Sequence, residues 1–308
     1  MFGHFSLPLM ISCSYLKCHP ELWQYVIGIK YSQFEFLLPK FSRALRQSEL
    51  SWLKQPRLKQ PGQGRKPTLR SDFDKLFFVL FYYKIYPTFR FAQILFGLDK
   101  RNCQIWVRRL EIVLKQTVDY QLALPKRKVS HFRHWFEVCP QLKEFIVDCS
   151  ERLIQRPNKT NQEFYYSGKK KHHTVKNQIL VNPRNKKILA VSDTMEGKRH
   201  DKQVFASDLL FLKFPPGSKG LGDSAYQGVH HPFFKILTPT KKPPGQELTE
   251  MDKNNNKSIS QIRVRVEHPL AYLKHFNILS QKFRSRIPKA DLPFKNIACL
   301  YNFSRNYG

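Results

Sequence analysis

The chain has 308 residues, 41% of them hydrophobic and 25 of them Phe, enough for two domains that each bury a core. Its 53 Lys and Arg stand against 23 Asp and Glu, giving a formal charge of +30 spread along the sequence. That balance implies a polyanionic partner, nucleic acid first and an acidic membrane surface second. The six cysteines are scattered without a CxxC pair, which suggests neither a zinc ribbon nor a disulfide framework and fits a reducing compartment. The apolar N-terminus contains Pro8 and lacks a positive leading region, and no stretch is long and uncharged enough to span a bilayer. The expected location is the cytoplasm, at the nucleoid in a bacterium.

Residues 1–67 are expected to be an N-terminal segment ending in a basic linker, since 55–67 read QPRLKQPGQGRKP. A small all-α domain is expected over 68–125. Ser71 can cap a helix whose first turn carries Asp72 and Asp74, followed by Phe73, Leu76, Phe77 and Leu80 at helical spacing. Pro87-Thr88 restarts the chain, FRFAQILF gives a short second helix, and Gly97 suits its C-terminal cap. A third helix follows with Trp106, Leu110, Val113 and Leu114 as its buried stripe. Lys100, Arg101, Gln104 and Arg108 lie on or beside its polar face. Two helices joined by a Gly-containing turn suggest a DNA-reading helix-turn-helix, with a plain helical bundle as the alternative.

A second break is expected at 124–135, and a third domain over 141–308 has a different texture. EFIVDCSER, HHTVKNQILVNP and KKILAVSDTM read as strands, with Asn182-Pro-Arg-Asn as a turn. KRHDKQVFASDLLFLKF reads as a helix, SKGLGDSAYQG and FKILTPTK as short strands, and SISQIRVRVEHPLAYLKHFNIL as one long helix. The expected class is a mixed α/β sheet rather than a barrel or sandwich.

In so basic a chain the placement of acids is informative. Asp148 lies within an apolar strand, where a charge is expensive unless it serves a partner. Asp223 is expected at the end of a later strand beside two glycines, and Glu267 lies on the long helix. Arg263 and Lys274 precede and follow Glu267 by four and seven residues, close to one face of a helix. Two strand carboxylates and one from a helix suit a pair of Mg²⁺ ions, which prefer oxygen ligands and can clamp both sides of a phosphoryl displacement. Taken singly, Asp148 also fits an edge-strand surface residue, Asp223 a turn residue, and Glu267 an ion pair with Arg263. Lys169, Lys170 and Lys171 are either a solvated turn or a phosphate grip.

Five ordered blocks, over roughly residues 141–305, carry a resemblance. FIVDCSERLIQRP, YYSGKKKHHTVKNQILV, GKRHDKQVF, GLGDSAYQG and SISQIRVRVEHPLAYLKHFNILSQKFR resemble the successive motifs of the DDE transposases of bacterial insertion sequences and their Harbinger-like relatives. The resemblance implies a ribonuclease H-like catalytic domain behind a helix-turn-helix module. It implies Asp148, Asp223 and Glu267 as the metal-binding triad for Mg²⁺, or Mn²⁺ as a substitute, at two ions. Lys274 and Arg263 become substrate-holding cations, and the glycines beside Asp223 are expected to let phosphate and metal approach closely. The implied activity is metal-dependent cleavage of double-stranded DNA at the element's terminal inverted repeats and strand transfer into target DNA, with a homo-oligomer at synapsis and no membrane partner. A catalytically inactive or domesticated DNA-binding relative and a host endonuclease of the same fold are the alternatives. Cys149-Ser150 and Ala225 depart from the common pattern, and Pro269 is expected to kink or restart the helix after Glu267.

Overall fold

The structure, a computed structural model, describes residues 13–51, 68–118, 143–207, 214, 216–231 and 234–307. It divides into two compact units. One comprises residues 1–119 with 275–278 and 306–308, and the other comprises the remaining residues. The linker expected at 55–67 and the break expected at 124–135 lie outside the described residues.

The first unit is helical. Helices Asp72–Ile85, Phe89–Phe96 and Lys100–Val118 stand where expected. Ser71 Oγ accepts the Asp74 N–H at 3.0 Å while the Asp74 carboxylate accepts the Ser71 N–H at 3.0 Å, a complete capping box. Thr88 caps the second helix, and Gly97 ends it in the left-handed region at φ 61°. The expected one-sided stripe on the first helix is too narrow, because every residue from Lys75 to Lys84 is buried. Such burial all round marks a central helix. Trp106 is half-buried rather than buried. Residues 1–67, for which no element was expected, contain a 21-residue helix at Tyr31–Ser51.

The second unit is built on a mixed sheet. Its strands are β1 (Glu144–Leu153), β2 (Tyr166–Ser167), β3 (His172–Val181), β4 (Ile188–Val191), β5 (Met195–Glu196), β6 (Ser218–Leu221), β7 (His230–His231) and β8 (Phe234–Leu237). The path runs β2-β3-β1-β6-β8-β7, with β4 and β5 also paired to β3. β1 is antiparallel to β3 and parallel to β6, and β6 is parallel to β8. This is the mixed α/β, ribonuclease H-like class that the sequence implied. β1 is therefore a central strand, so Asp148 is not an edge-strand surface residue. One sheet face packs Phe145, Val147, Leu180 and Leu189 with Phe205, Phe214, Tyr226 and Phe234.

Two elements differ from expectation. The helix expected from Ser258 onward begins eight residues earlier and breaks: Glu250–Arg263 is followed by a 3₁₀ turn, Val264–Val266, and a second helix, Glu267–Lys274. Pro269 thus falls in the first turn of a new helix, where its missing N–H costs nothing. The C-terminal residues form a further helix, Asp291–Asn306, which was not foreseen. Its Asn302 amide accepts the Ile188 N–H at 2.9 Å and donates to the Ile188 carbonyl at 2.7 Å, clamping β4.

Gly220 lies in β6 against β1, and a Cβ added there would stand 2.5 Å from the Phe145 ring. Gly220→Ala is expected to destabilise the chain by roughly 1–3 kcal/mol through forced repacking. Gly168, around which a Cβ meets nothing within 4 Å, is the control; urea denaturation of both variants checks the contrast.

Candidate active site

Strand register brings two acids together. β1 and β6 pair in parallel as Glu144 with Lys219, Phe145 with Gly220 and Ile146 with Leu221. Continued by two positions beyond the ladder, that register directs Asp148 towards Asp223, whose charge acts on it. Asp223 lies two residues beyond the end of β6 and caps the 3₁₀ turn Ser224–Tyr226, its carboxylate accepting the Ala225 N–H at 2.9 Å. Asp148 accepts the N–H of Cys149 at 2.7 Å. Alternation along β1 turns Asp148 away from the face that carries Phe145 and Val147.

Burial pushes the Asp148 carboxyl above the usual carboxylate range, and the negative charges of Asp223 and Asp201 push it the same way. The Cys149 hydrogen bond and the positive charge of Arg263 act against them. Arg263 is half-buried at the end of its helix, and the turn after it packs against β1. Asp201, the first residue of the helix Asp201–Ser207, is held by Lys176 at 2.9 Å and accepts a hydrogen bond from the Cys149 thiol. The centre is thus a pair of carboxylates, a third acid already neutralised, and one arginine.

A family model described as DDE superfamily endonuclease matches residues 147–302. The chain belongs to this family. It is also 29% identical, over 245 residues, to the probable transposase for insertion sequence element IS702 of Microchaete diplosiphon, covering 80% of this chain and 84% of that protein. No solved structure gives a significant match. The family's span contains Asp148, Asp223 and Glu267, and the chain is accordingly of a nuclease class.

The other expected site residues fall as follows. Glu267 is exposed at the start of its helix and makes no ion pair with Arg263 among the described residues. Nor do the described residues contain a cluster of three His, Cys, Asp or Glu side chains close enough to hold one ion. Lys274 is exposed at the end of the same unbroken helix, about 10 Å along the axis and within roughly 20° of the Glu267 direction. The break lies before Glu267, so it is Arg263 that the 3₁₀ turn rotates off their common line, by about 60°. Lys169, Lys170 and Lys171 are exposed in the turn joining β2 and β3. Their turn begins seven residues along β3 from Ile179, the partner of Asp148, or about 23 Å at a strand's rise. Lys100, Arg101, Gln104 and Arg108 are all exposed on their helix, the last three sharing the face opposite Leu110 and Leu114.

The glycines beside Asp223 have a packing role. A Cβ on Gly222 would stand 2.9 Å from the Tyr226 ring, as one on Gly220 would meet Phe145. They make room for the chain's own aromatic core. Lys176 and Asp201 were not anticipated as one pair. The signal available was a Lys in a strand and an Asp after a Gly-x-x-His turn.

Two adjacent carboxylates, one of them desolvated, are a donor set suited to a hard cation. An ionised Asp148 costs the fold stability, because its folded pKa is raised above its unfolded value. That penalty is full at neutral pH and fades as pH falls through the folded pKa. Asp148→Asn is therefore expected to raise the melting temperature without added metal at pH 7, with the gain vanishing near pH 4, where the unfolded carboxyl also protonates. Thermal melts across that range check it.

Proposed function

We propose that the chain is a transposase that cleaves DNA at the ends of its own element and joins the freed end to a target. The observation that supports this reading is the desolvated Asp148 acted on by the Asp223 charge within the span of the endonuclease family. The charge of +30 supports a DNA substrate. Asp148 and Asp223 would hold Mg²⁺, or Mn²⁺ in its place, with Glu267 as the third carboxylate. Bound there, the metal would supply activation of the attacking oxygen and stabilisation of the leaving one.

The chain's own residues do the rest. Arg263 sets a positive charge against the acid pair, where it offsets repulsion of the phosphodiester. Lys274, on the Glu267 side of its own helix, supplies a second substrate-holding cation. Water breaks a P–O3′ bond and leaves a 3′-hydroxyl on the element; that hydroxyl then displaces the 3′-oxygen of a target phosphodiester, and the bond count is conserved. Neither step needs a covalent link to the protein. Lys169, Lys170 and Lys171 grip phosphates away from the cut. Over residues 68–125, Lys100, Arg101, Gln104 and Arg108 belong to a helix-turn-helix that recognises the terminal repeats of double-stranded DNA. The chain assembles as a homo-oligomer when two ends are brought together.

Asp148→Asn, Asp223→Asn and Glu267→Gln are each expected to abolish Mg²⁺-dependent cleavage while leaving duplex binding within a few-fold of the parent. Mg²⁺ should raise the parent's melting temperature and leave those of the two Asn variants unchanged. Cleavage by Asp223→Asn at the parental rate would falsify the site. In the helical unit, Arg101→Ala and Gln104→Ala should each cost about 1–3 kcal/mol on the cognate end and much less on random DNA. Equal losses on both would reduce that helix to a phosphate contact.

A further inference from the structure

The helix Glu250–Arg263 buries none of its residues, although helices in folded chains owe most of their stability to packing. Local contacts hold it instead. Thr249 Oγ1 accepts the Asp252 N–H at 3.1 Å, Lys253 pairs with Glu250 at 2.8 Å, and the Asn256 amide exchanges two hydrogen bonds with the Thr240 backbone. Its half-buried residues, Asp252, Asn256, Ile259 and Arg263, recur along one line. On the opposite line Asn254, Lys257, Ser258 and Gln261 recur at i, i+3, i+4 and i+7, and all four are exposed. The side chains of Asn254, Lys257 and Gln261 have no hydrogen-bond partner among the described residues.

Charge points to the occupant of that face. From Lys253 to Val266 the chain carries Lys253, Lys257, Arg263 and Arg265 and no acid. The helix ends at Arg263, whose charge acts on Asp148. Two amides, a hydroxyl and an ammonium on one face of a cationic helix are groups that bond base edges and phosphates, and a helix fits the major groove. We propose that Glu250–Arg263 lies in the major groove of the duplex that enters the Asp148–Asp223 site, with Lys257 on phosphate and Asn254 and Gln261 on base edges. This rests on the DNA-acting reading above and names the element that holds the substrate beside the site.

The test uses the full chain with Lys257→Gln, Asn254→Ala/Gln261→Ala and, as a stronger second variant, Gln261→Glu. The substitutions are exposed, and melting curves check that the fold is kept. Binding is measured on a random-sequence duplex over a salt series, and preference by selection from a randomised duplex pool. Lys257→Gln should weaken binding and flatten the slope of log affinity against log salt by about 0.9. The double variant should lose about tenfold in enrichment of preferred sequences with the slope unchanged, and Gln261→Glu should lose more. If the chain binds and cuts DNA but all three variants match the parent, the helix proposal fails alone. Failure of the parent to bind any duplex sinks the DNA-acting reading itself. A change in oligomeric state with unchanged DNA binding assigns the face to a protein partner and overturns the proposal.

Discussion

Asp148 is a carboxylate desolvated within the central strand of the second unit, and burial is the main force acting on its charge. Asp148 sits in the central strand, paired on one side with β3 and on the other with β6, so it cannot swing to solvent as a loop residue could. The Cys149 N–H and the Arg263 charge offset part of the cost, yet burial keeps the carboxyl above its ordinary range. A fold that keeps such a group sacrifices stability locally, which is the usual mark of a site held ready for a cation. The rest of the unit fixes it and Asp223: Gly220 and Gly222 admit Phe145 and Tyr226, and those rings pin the two strand ends to one core.

What could be read from the sequence follows from how local each signal is. The Ser71 cap, the Gly97 terminus and the Asn182 turn are specified within a few residues, and each forms as expected. Strand β1 was legible for the same reason, as an apolar run interrupted by one acid. The first eight residues of the helix Glu250–Arg263 were not, because they carry no apolar stripe. The two glycines show the same limit. Their function depends on rings that are 75 residues away in one case and four in the other, and no local pattern distinguishes room for a ring from room for a phosphate.

Register had the same standing at the site. The sequence offered Asp148 and Asp223 as separate residues in separate strands; only the pairing of Phe145 with Gly220 makes them neighbours. Glu267 has no comparable constraint. It begins a helix just after a 3₁₀ turn and is exposed, so no strand pairing fixes its position. The region leading to it, from Lys253 to Val266, carries cations and no acid.

Asp201 shows why nearness to the pair does not by itself make a ligand. Its charge reaches Asp148, but its carboxylate accepts the Lys176 ammonium at 2.9 Å and the Cys149 thiol. Lys176 donates as well to the Arg199 carbonyl at 2.8 Å, so the ammonium is held from two directions. An acid held in this way has few lone pairs left for a cation. The Cys149-Ser150 departure from the family's common pattern then has a physical role. A thiol directly after Asp148 donates to Asp201 on the opposite face of β1, tying the acid pair's strand to the neighbouring helix terminus while leaving Asp148 itself to face Asp223.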